Sequence, residues 1–262
     1  MVNPVESFES GIEELLGTKY AVGVCNGTAA LHTALVSCGI GEGDEVITTP
    51  YTFPATANAI RMARAKPVFA DVHRESLCLD PWRVDAAIAA HPKVRAIIGV
   101  DIFGRLHGVE ELADLAEEYE LIYIEDASQA FGAKKNGQYA GTFGEVGTFS
   151  FYASKNLWSF EGGMLITDCD EIAEQARMIR NHGLNSSGEM VRMGYNYKMP
   201  WICAFIAETN LRLHLPGLLA ELGRYGPEDG YYSKLVYQHK YYKDLGLTGD
   251  CPVAEIMARK VK

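Results

Sequence analysis

Residues 94–126 carry the pattern that decides the fold, with the sequence VRAIIGVDIFGRLHGVEELADLAEEYELIYIED. Val94–Val100 is a short apolar run, Val109–Tyr119 has its apolar residues at helical spacing, and Leu121–Glu125 is again apolar. A strand, a helix and a second strand in this order form the unit from which parallel sheets are built. The same alternation extends over most of the chain. It predicts an α/β fold with a mostly parallel sheet that is flanked by helices on both faces.

The elements on either side follow the same rules. Apolar runs predict further strands at Tyr20–Cys25, Glu45–Thr48, Pro67–Val72, Gly147–Tyr152 and Gly163–Thr167. Helical spacing predicts helices ending at Gly17 and near Gly39, and others at Ala55–Ala65, Pro81–Ala90, Glu171–Asn181 and Met199–Leu215, the last ended by Pro216-Gly217. The alternation of strand-like and helix-like segments ends beyond Gly183. We therefore predict a large domain over residues 1–185 and a reduced C-terminal part over 186–262, with a linker at Glu221–Gly230.

Charge and composition exclude several classes of function. With 24 basic and 34 acidic residues the net charge is −10, which disfavours nucleic acid and anionic membranes as partners. The six cysteines include no C-x-x-C pair, so we expect neither a metal site nor a disulfide scaffold. No stretch approaches the roughly 20 apolar residues of a membrane span, and the N-terminus does not resemble a signal peptide. The chain is expected to be cytoplasmic.

Three places directly after predicted strands carry candidate chemistry, because ligands of open α/β sheets bind beyond the carboxyl ends of the strands. Asn26-Gly27-Thr28 opens a helix, where free N–H groups favour a phosphate; the alternative is an ordinary Asn-Gly turn with a Thr cap. Asp126 follows a strand and could keep a pyridine nitrogen protonated, or merely cap the next segment. Lys155 follows Ser150 and could form an imine with an aldehyde, or be an ordinary solvated lysine.

Taken together, these sites carry a family resemblance. CNGTAALHTAL, PYTFPATANAI, IEDASQAFGA, GTFSFYASKN, EGGMLITD and RNHGLN make the run from Phe8 to about Tyr197 similar to the DegT/StrS sugar aminotransferases, a branch of the fold-type I pyridoxal-phosphate enzymes. The resemblance implies that Lys155 binds pyridoxal 5′-phosphate as a Schiff base and that Asp126 pairs with the ring nitrogen. The reaction it implies is amino transfer, usually from glutamate to the keto group of a nucleotide-linked sugar, as in nucleotide sugar biosynthesis.

The resemblance also implies roles for the remaining candidates. Gly27, Thr28 and Ser150 would hold the phosphate, and Gln129 would sit beside the ring hydroxyl. Phe53 would stack on the ring, with a core aromatic as the alternative. Asn196 would reach the phosphate of the partner subunit, so a homodimer with a shared active site is implied; the alternative is a loop residue.

Departures from the family pattern leave other functions open. Ser159-Phe160 stands where relatives have Gly, so Phe160 could crowd the loop beside the cofactor or reshape the acceptor pocket. Cys25 and Asn26 also replace small residues. A stretch that relatives possess is absent between Ala220 and Tyr231, either through deletion or through omission of residues, and the chain stops before the family's usual end. Two alternatives follow: a regulatory or degraded cofactor-binding relative without turnover, or a pyridoxal-phosphate enzyme of different outcome, such as a sugar dehydratase. Lys155 counts against dehydration, because dehydratase relatives carry histidine there.

Overall fold

A computed structural model describes residues 3–220, 226 and 232–260, with the backbone alone at 218–220. Strands β1 to β9, in chain order, are Tyr20–Val24, Glu45–Thr48, Lys66–Phe69, Val94–Val100, Ile122–Asp126, Lys134–Lys135, Gln138–Tyr139, Val146–Ser150 and Gly163–Thr167. Helices α1 to α9 are Pro4–Leu16, Gly27–Ser37, Ala55–Met62, Pro81–Ala90, Val109–Glu118, Asp170–Arg180, Trp201–Ala220, Lys240–Asp244 and Pro252–Lys260. Short 3₁₀ turns lie at Ile102–Gly104 and Val236–Gln238.

Seven strands form one sheet in the order β1-β9-β8-β5-β4-β2-β3. The pairs β8–β5, β5–β4, β4–β2 and β2–β3 are parallel, while β9 is antiparallel to both neighbours. Six strands therefore point the same way and only β9 is reversed among the seven. The predicted α/β fold with a mostly parallel sheet is confirmed. The hairpin of β6 and β7 was not predicted, because two-residue strands carry no periodicity.

Side-chain alternation along the strands divides the core into two layers. Ile98 and Ile124 pack with α2, α3 and α6 on one face of the sheet. Their neighbours Ile97 and Tyr123 pack with α4 and α5 on the other face. Helices α1 and α7 cover the β1–β9–β8 end of this second face through residues such as Phe8 and Ala204. With both faces covered, only the ends of the strands can present functional side chains to a ligand.

The C-terminal region differs from the prediction in one respect. Helix α7 does not end before Pro216 but continues to Ala220. A proline inside a helix removes one hydrogen bond and does not forbid the helix where packing compensates, and Leu215 packs against the core shared with α1. The predicted linker lies outside the described residues apart from Gly226. Residues 232–260 pack on the edge of the sheet around Tyr51 and Phe69, and the division at residue 185 stays a prediction.

The described helices include none that is long and apolar enough to cross a membrane.

Candidate active site

A cleft of about 380 Å³ opens at the carboxyl ends of β1, β2, β5 and β8. Parallel strands bring their carboxyl ends to one edge, so residues far apart in sequence meet there. Seven of the eight predicted site residues line this cleft: Gly27, Thr28, Phe53, Asp126, Gln129, Ser150 and Lys155. The eighth, Asn196, does not line it.

The first helix after β1 supplies an anion cradle. Asn26 caps α2 by accepting a hydrogen bond from the Ala29 N–H at 2.8 Å, so Asn26 and not Thr28 is the capping residue. The N–H groups of Gly27 and Thr28 have no acceptor among the described residues and lie at the positive end of the helix. Ser150, at the end of β8, adds a hydroxyl on the opposite wall. These are the donors that a phosphate binds at a helix start.

Gly27 is required by the width of the cradle. A Cβ atom at position 27 would lie 2.8 Å from the Cβ of Ser150, closer than real Cβ contacts. We expect Gly27→Ala to push Ser150 away and to weaken the binding of pyridoxal phosphate that the family resemblance implies by at least about tenfold, as measured by absorbance titration. Gly41→Ala is the control, since its Cβ would approach nothing closer than 4.0 Å. If both variants bound pyridoxal phosphate with equal affinity, Gly27, Thr28 and Ser150 would not form the phosphate site.

Lys155 lies half-buried in the loop after β8. Burial lowers the pKa of its ammonium group, while the negative charge of Asp126 opposes this shift. No hydrogen bond joins its Nζ to another described residue. A larger neutral fraction makes the amine a better nucleophile at neutral pH than a solvated lysine.

Asp126, the last residue of β5, is 5 % exposed and faces the cleft. Its Oδ2 accepts a hydrogen bond from the Thr56 hydroxyl at 2.9 Å, and its Oδ1 accepts one from the Ser128 N–H at 3.3 Å. A carboxylate accepts about four hydrogen bonds, so both oxygens keep capacity for a ligand. The carboxylate therefore bonds Thr56 as well as the Ser128 N–H of the following segment, and its role toward a ring nitrogen stays a prediction.

The ring-side candidates occupy different surroundings. Phe53 is 60 % exposed and borders the cleft, which excludes the alternative of a core aromatic. The Gln129 Oε1 accepts the Phe103 N–H at 2.9 Å, and its Nε2 donates to the Tyr232 hydroxyl at 2.7 Å. The backbone donor fixes which way the amide points, so one Nε2 hydrogen stays available. Tyr232 comes from the C-terminal region and is 4 % exposed.

Asn196 lies apart from the cleft in an exposed segment. Its backbone forms a bridge with Asn181, and its side chain accepts a hydrogen bond from the Lys198 Nζ at 2.7 Å. Within the described residues it forms no hydrogen bond with another predicted site residue, and its role across a subunit interface stays a prediction.

Phe160 is not among the residues that line the cleft. Its φ of +66° is a conformation that favours glycine, so Phe160 holds a backbone position where a glycine would be less strained. The side chain is 59 % exposed and makes an edge contact with Trp158, with ring centroids 5.3 Å apart. The adjacent Glu161 lines the cleft instead.

A buried pair of acids lies behind the site. Asp101, directly after β4, is 1 % exposed, and Glu125 on β5 is 0 % exposed. Burial raises the pKa of Asp101 well above its ordinary value, and the charge of Glu125 and its hydrogen bond raise it further. Glu125 itself accepts the N–H groups of Gly141 at 2.6 Å and Phe143 at 2.9 Å. Asp101 is therefore the partner that carries a proton.

We expect Asp101→Asn to raise the free energy of unfolding at pH 8 by about 1–2 kcal/mol. An acid whose folded pKa is raised stabilises the fold fully below its unfolded pKa of about 4, and this contribution is lost as pH rises through the folded pKa. The gain should therefore shrink toward pH 4 in urea unfolding curves. Glu125→Gln should destabilise instead, because an amide offers only one oxygen to the two N–H donors. A gain in both variants would contradict the assignment.

Sequence reasoning missed several residues that border the cleft. Thr52 and Thr56 flank Phe53 after β2, and Tyr232 comes from the C-terminal region, whereas the sequence reasoning from strand ends concerned only residues after β1, β5 and β8. The hydroxyl-rich stretch Thr49–Thr56 after β2 was a detectable signal, since β2 is also a parallel strand. Tyr232 had no sequence signal of its own. Across the described ranges, no group of three or more His, Cys, Asp or Glu side chains could hold a metal ion.

Known proteins are similar to this chain in sequence and in fold. The sequence profile of the "DegT/DnrJ/EryC1/StrS aminotransferase family" matches residues 2–219. A pleiotropic regulatory protein of Geobacillus stearothermophilus is 43 % identical over 196 residues, covering 74 % of this chain and 52 % of that protein. A GDP-perosamine synthase of Vibrio cholerae is 38 % identical over 209 residues, covering 79 % and 56 %. The chain thus spans about half the length of the curated relatives it matches.

A solved structure extends the likeness to the C-terminal region. DesV of S. venezuelae, crystallised in complex with a ketimine intermediate, superposes with a TM-score of 0.87 at 29 % identity. The match covers 99 % of this chain and 82 % of that chain.

Proposed function

This chain belongs to the DegT/DnrJ/EryC1/StrS aminotransferase family, and from that premise we propose that it binds pyridoxal 5′-phosphate through Lys155 and transfers an amino group to a keto sugar. The observation that carries the proposal is that one cleft gathers Lys155, Asp126 and the anion cradle of Gly27, Thr28 and Ser150. In the proposed reaction an amino acid gives its amino group and becomes a 2-oxo acid, while the sugar's keto oxygen is replaced. Glutamate is the proposed donor and a nucleotide-linked sugar the proposed acceptor.

The residues of the cleft fit each part of this cofactor. The narrow cradle that a Cβ at Gly27 would fill offers backbone and hydroxyl donors to the phosphate. Lys155 offers an amine of lowered pKa to the aldehyde, and Asp126 offers a buried carboxylate to the ring nitrogen. The exposed ring of Phe53 is available for stacking, and Gln129 retains an N–H for the ring hydroxyl. When bound, the cofactor supplies an electron sink for negative charge at the reacting carbon.

The chain's own groups then divide the work. Lys155 Nζ would hold the cofactor covalently and, once released by the amino donor, accept and return the substrate proton. Its burial favours this role, because a base is most effective when its pKa lies near the working pH. Asp126 would stabilise positive charge on the ring nitrogen from a position with little access to water.

We propose that the active protein is a homodimer in which Asn196 serves the partner's site. The segment around Asn196 exposes large apolar side chains, and three of them, Trp201, Ile202 and Phe205, share one face of α7. Exposed apolar patches of this kind mark interaction surfaces. The proposed location is the cytoplasm, where the free thiols of the chain would stay reduced.

Changing Trp201 and Phe205 together to Glu should convert the dimer to a monomer in light-scattering measurements, because two charges would be buried in the interface. The affinity for pyridoxal phosphate should fall in the same variant. Trp82→Glu is the matched control, since Trp82 is 83 % exposed on α4, outside this segment. A native monomer that binds the cofactor fully would contradict the shared site.

The function is tested by incubating the native protein with glutamate, pyridoxal phosphate and a panel of nucleotide-linked keto sugars. Mass spectrometry should find an amino sugar together with 2-oxoglutarate in equal amounts. Cofactor binding without any product would favour a regulatory role, which the name of the Geobacillus pleiotropic regulatory protein brings into consideration. Loss of water from the sugar without amination would favour a dehydratase.

A further inference from the structure

We propose that Thr56 is a positioning residue that holds the Asp126 carboxylate and the Phe53 loop in one fixed arrangement. This inference rests on the proposed function, because it concerns the presentation of Asp126 to the cofactor. Thr56 lies in the first turn of α3 and is 1 % exposed, and Thr52, just before that helix, is 3 % exposed. Both hydroxyls border the cleft beside Asp126.

The direction of the hydrogen bonds follows from counting hydrogens. A threonine hydroxyl has one hydrogen, and an ionised carboxylate can only accept. Thr56 therefore donates to Asp126 Oδ2 at 2.9 Å. The oxygens of Thr52 and Thr56 lie 3.1 Å apart, and the hydrogen of Thr56 is already used. Thr52 must then donate to Thr56, which gives a chain running from Thr52 through Thr56 to Asp126.

Because both hydrogen bonds are donated in the direction of Asp126, the first strengthens the second. The donated bond from Thr52 polarises the Thr56 hydroxyl and makes it a better donor to the carboxylate. Because all three side chains are buried, water cannot easily replace a lost link. The Asp126 carboxylate is thereby kept from rotating out of the orientation in which it faces the cleft.

The series of hydrogen bonds from Thr52 to Asp126 also fixes the loop that carries Phe53. Thr52 and Thr56 flank Phe53, and the Thr56 N–H donates to the Phe53 carbonyl oxygen at 3.3 Å. One residue thus ties the candidate stacking residue to the candidate ring partner: the Thr56 N–H bonds Phe53 and its hydroxyl bonds Asp126, 70 residues away.

A double-mutant cycle tests the inference. Thr56→Val should weaken binding of pyridoxal phosphate about three- to fivefold, and slow the single-turnover half reaction with glutamate about tenfold. Thr56→Ser keeps the donor and should stay within about twofold of the native protein in both readouts. In an Asp126→Ala background the carboxylate is gone, so Thr56→Val should then change the cofactor affinity by less than about twofold. Thr33→Val is the control for removing a buried hydroxyl, because Thr33 Oγ1 is buried without a hydrogen-bond partner among the described residues.

Each outcome decides one point. An equal loss from Thr56→Val in the native and Asp126→Ala backgrounds would show a merely structural role and overturn the inference. If Thr56→Val fails to fold, Thr52→Val, which removes only the outer link, should show a smaller loss in the same direction; no change would overturn the inference as well. If the native protein did not bind pyridoxal phosphate at all, the proposed function would be refuted, and the role of Thr56 with it.

Discussion

Replacement of Lys155 by Ala should abolish amino transfer, with a fall of at least about 10³-fold in the single-turnover rate with glutamate. The variant loses both the covalent hold on the cofactor and the base that moves the substrate proton. It should also lose the borohydride-reducible link to the cofactor, which peptide mapping should locate on position 155 of the native protein. The half-buried position and the lowered pKa of Lys155 are the observations behind this expectation.

Two further variants test the assignment to Lys155. Lys155→Arg keeps the positive charge but cannot form the link or act as a base, and it should be as inactive as the alanine variant. Lys93→Ala removes an exposed lysine away from the cleft and should leave the rate unchanged. Recovery of the reduced label on a lysine other than Lys155 would refute the assignment.

Asp126→Asn should slow proton abstraction by at least about 100-fold, or about 2.7 kcal/mol of barrier, while weakening cofactor binding much less. The substitution keeps the size of the side chain and an acceptor for Thr56 but removes the charge that stabilises a protonated ring nitrogen. That charge matters most in the transition state, because the electron sink is filled only there. The contacts of the phosphate cradle and of Lys155 remain in place.

The measurement compares the half-reaction rate with the cofactor affinity in the same variant. Asp114→Asn, an exposed acid on α5, is the control and should match the native protein in both values. A native rate in Asp126→Asn would mean that Asp126 acts only through its hydrogen bonds to Thr56 and Ser128, and the proposed mechanism would be wrong.

The sequence alone was enough to predict the fold and seven of the residues that line the cleft. Alternating apolar runs and helical spacing are local properties, so they located most of the parallel strands from Glu45 to Ser150 and the helices between them. In such a sheet the carboxyl ends meet at one edge, which is why Gly27, Asp126 and Lys155 could be grouped before any contact was known.

Only the tertiary structure decided which groups surround those residues. Thr56 meets Asp126 across 70 residues, and Gln129 meets Tyr232 across 103. Neither pair leaves a local pattern, because a single hydroxyl or amide has no periodicity and its partner is chosen by packing. The same holds for Asp101 and Glu125, whose shared burial follows from the pairing of β4 with β5. Likewise, Pro216 looked like a helix end because local propensity ends a helix there, whereas packing of Leu215 carries α7 onward to Ala220.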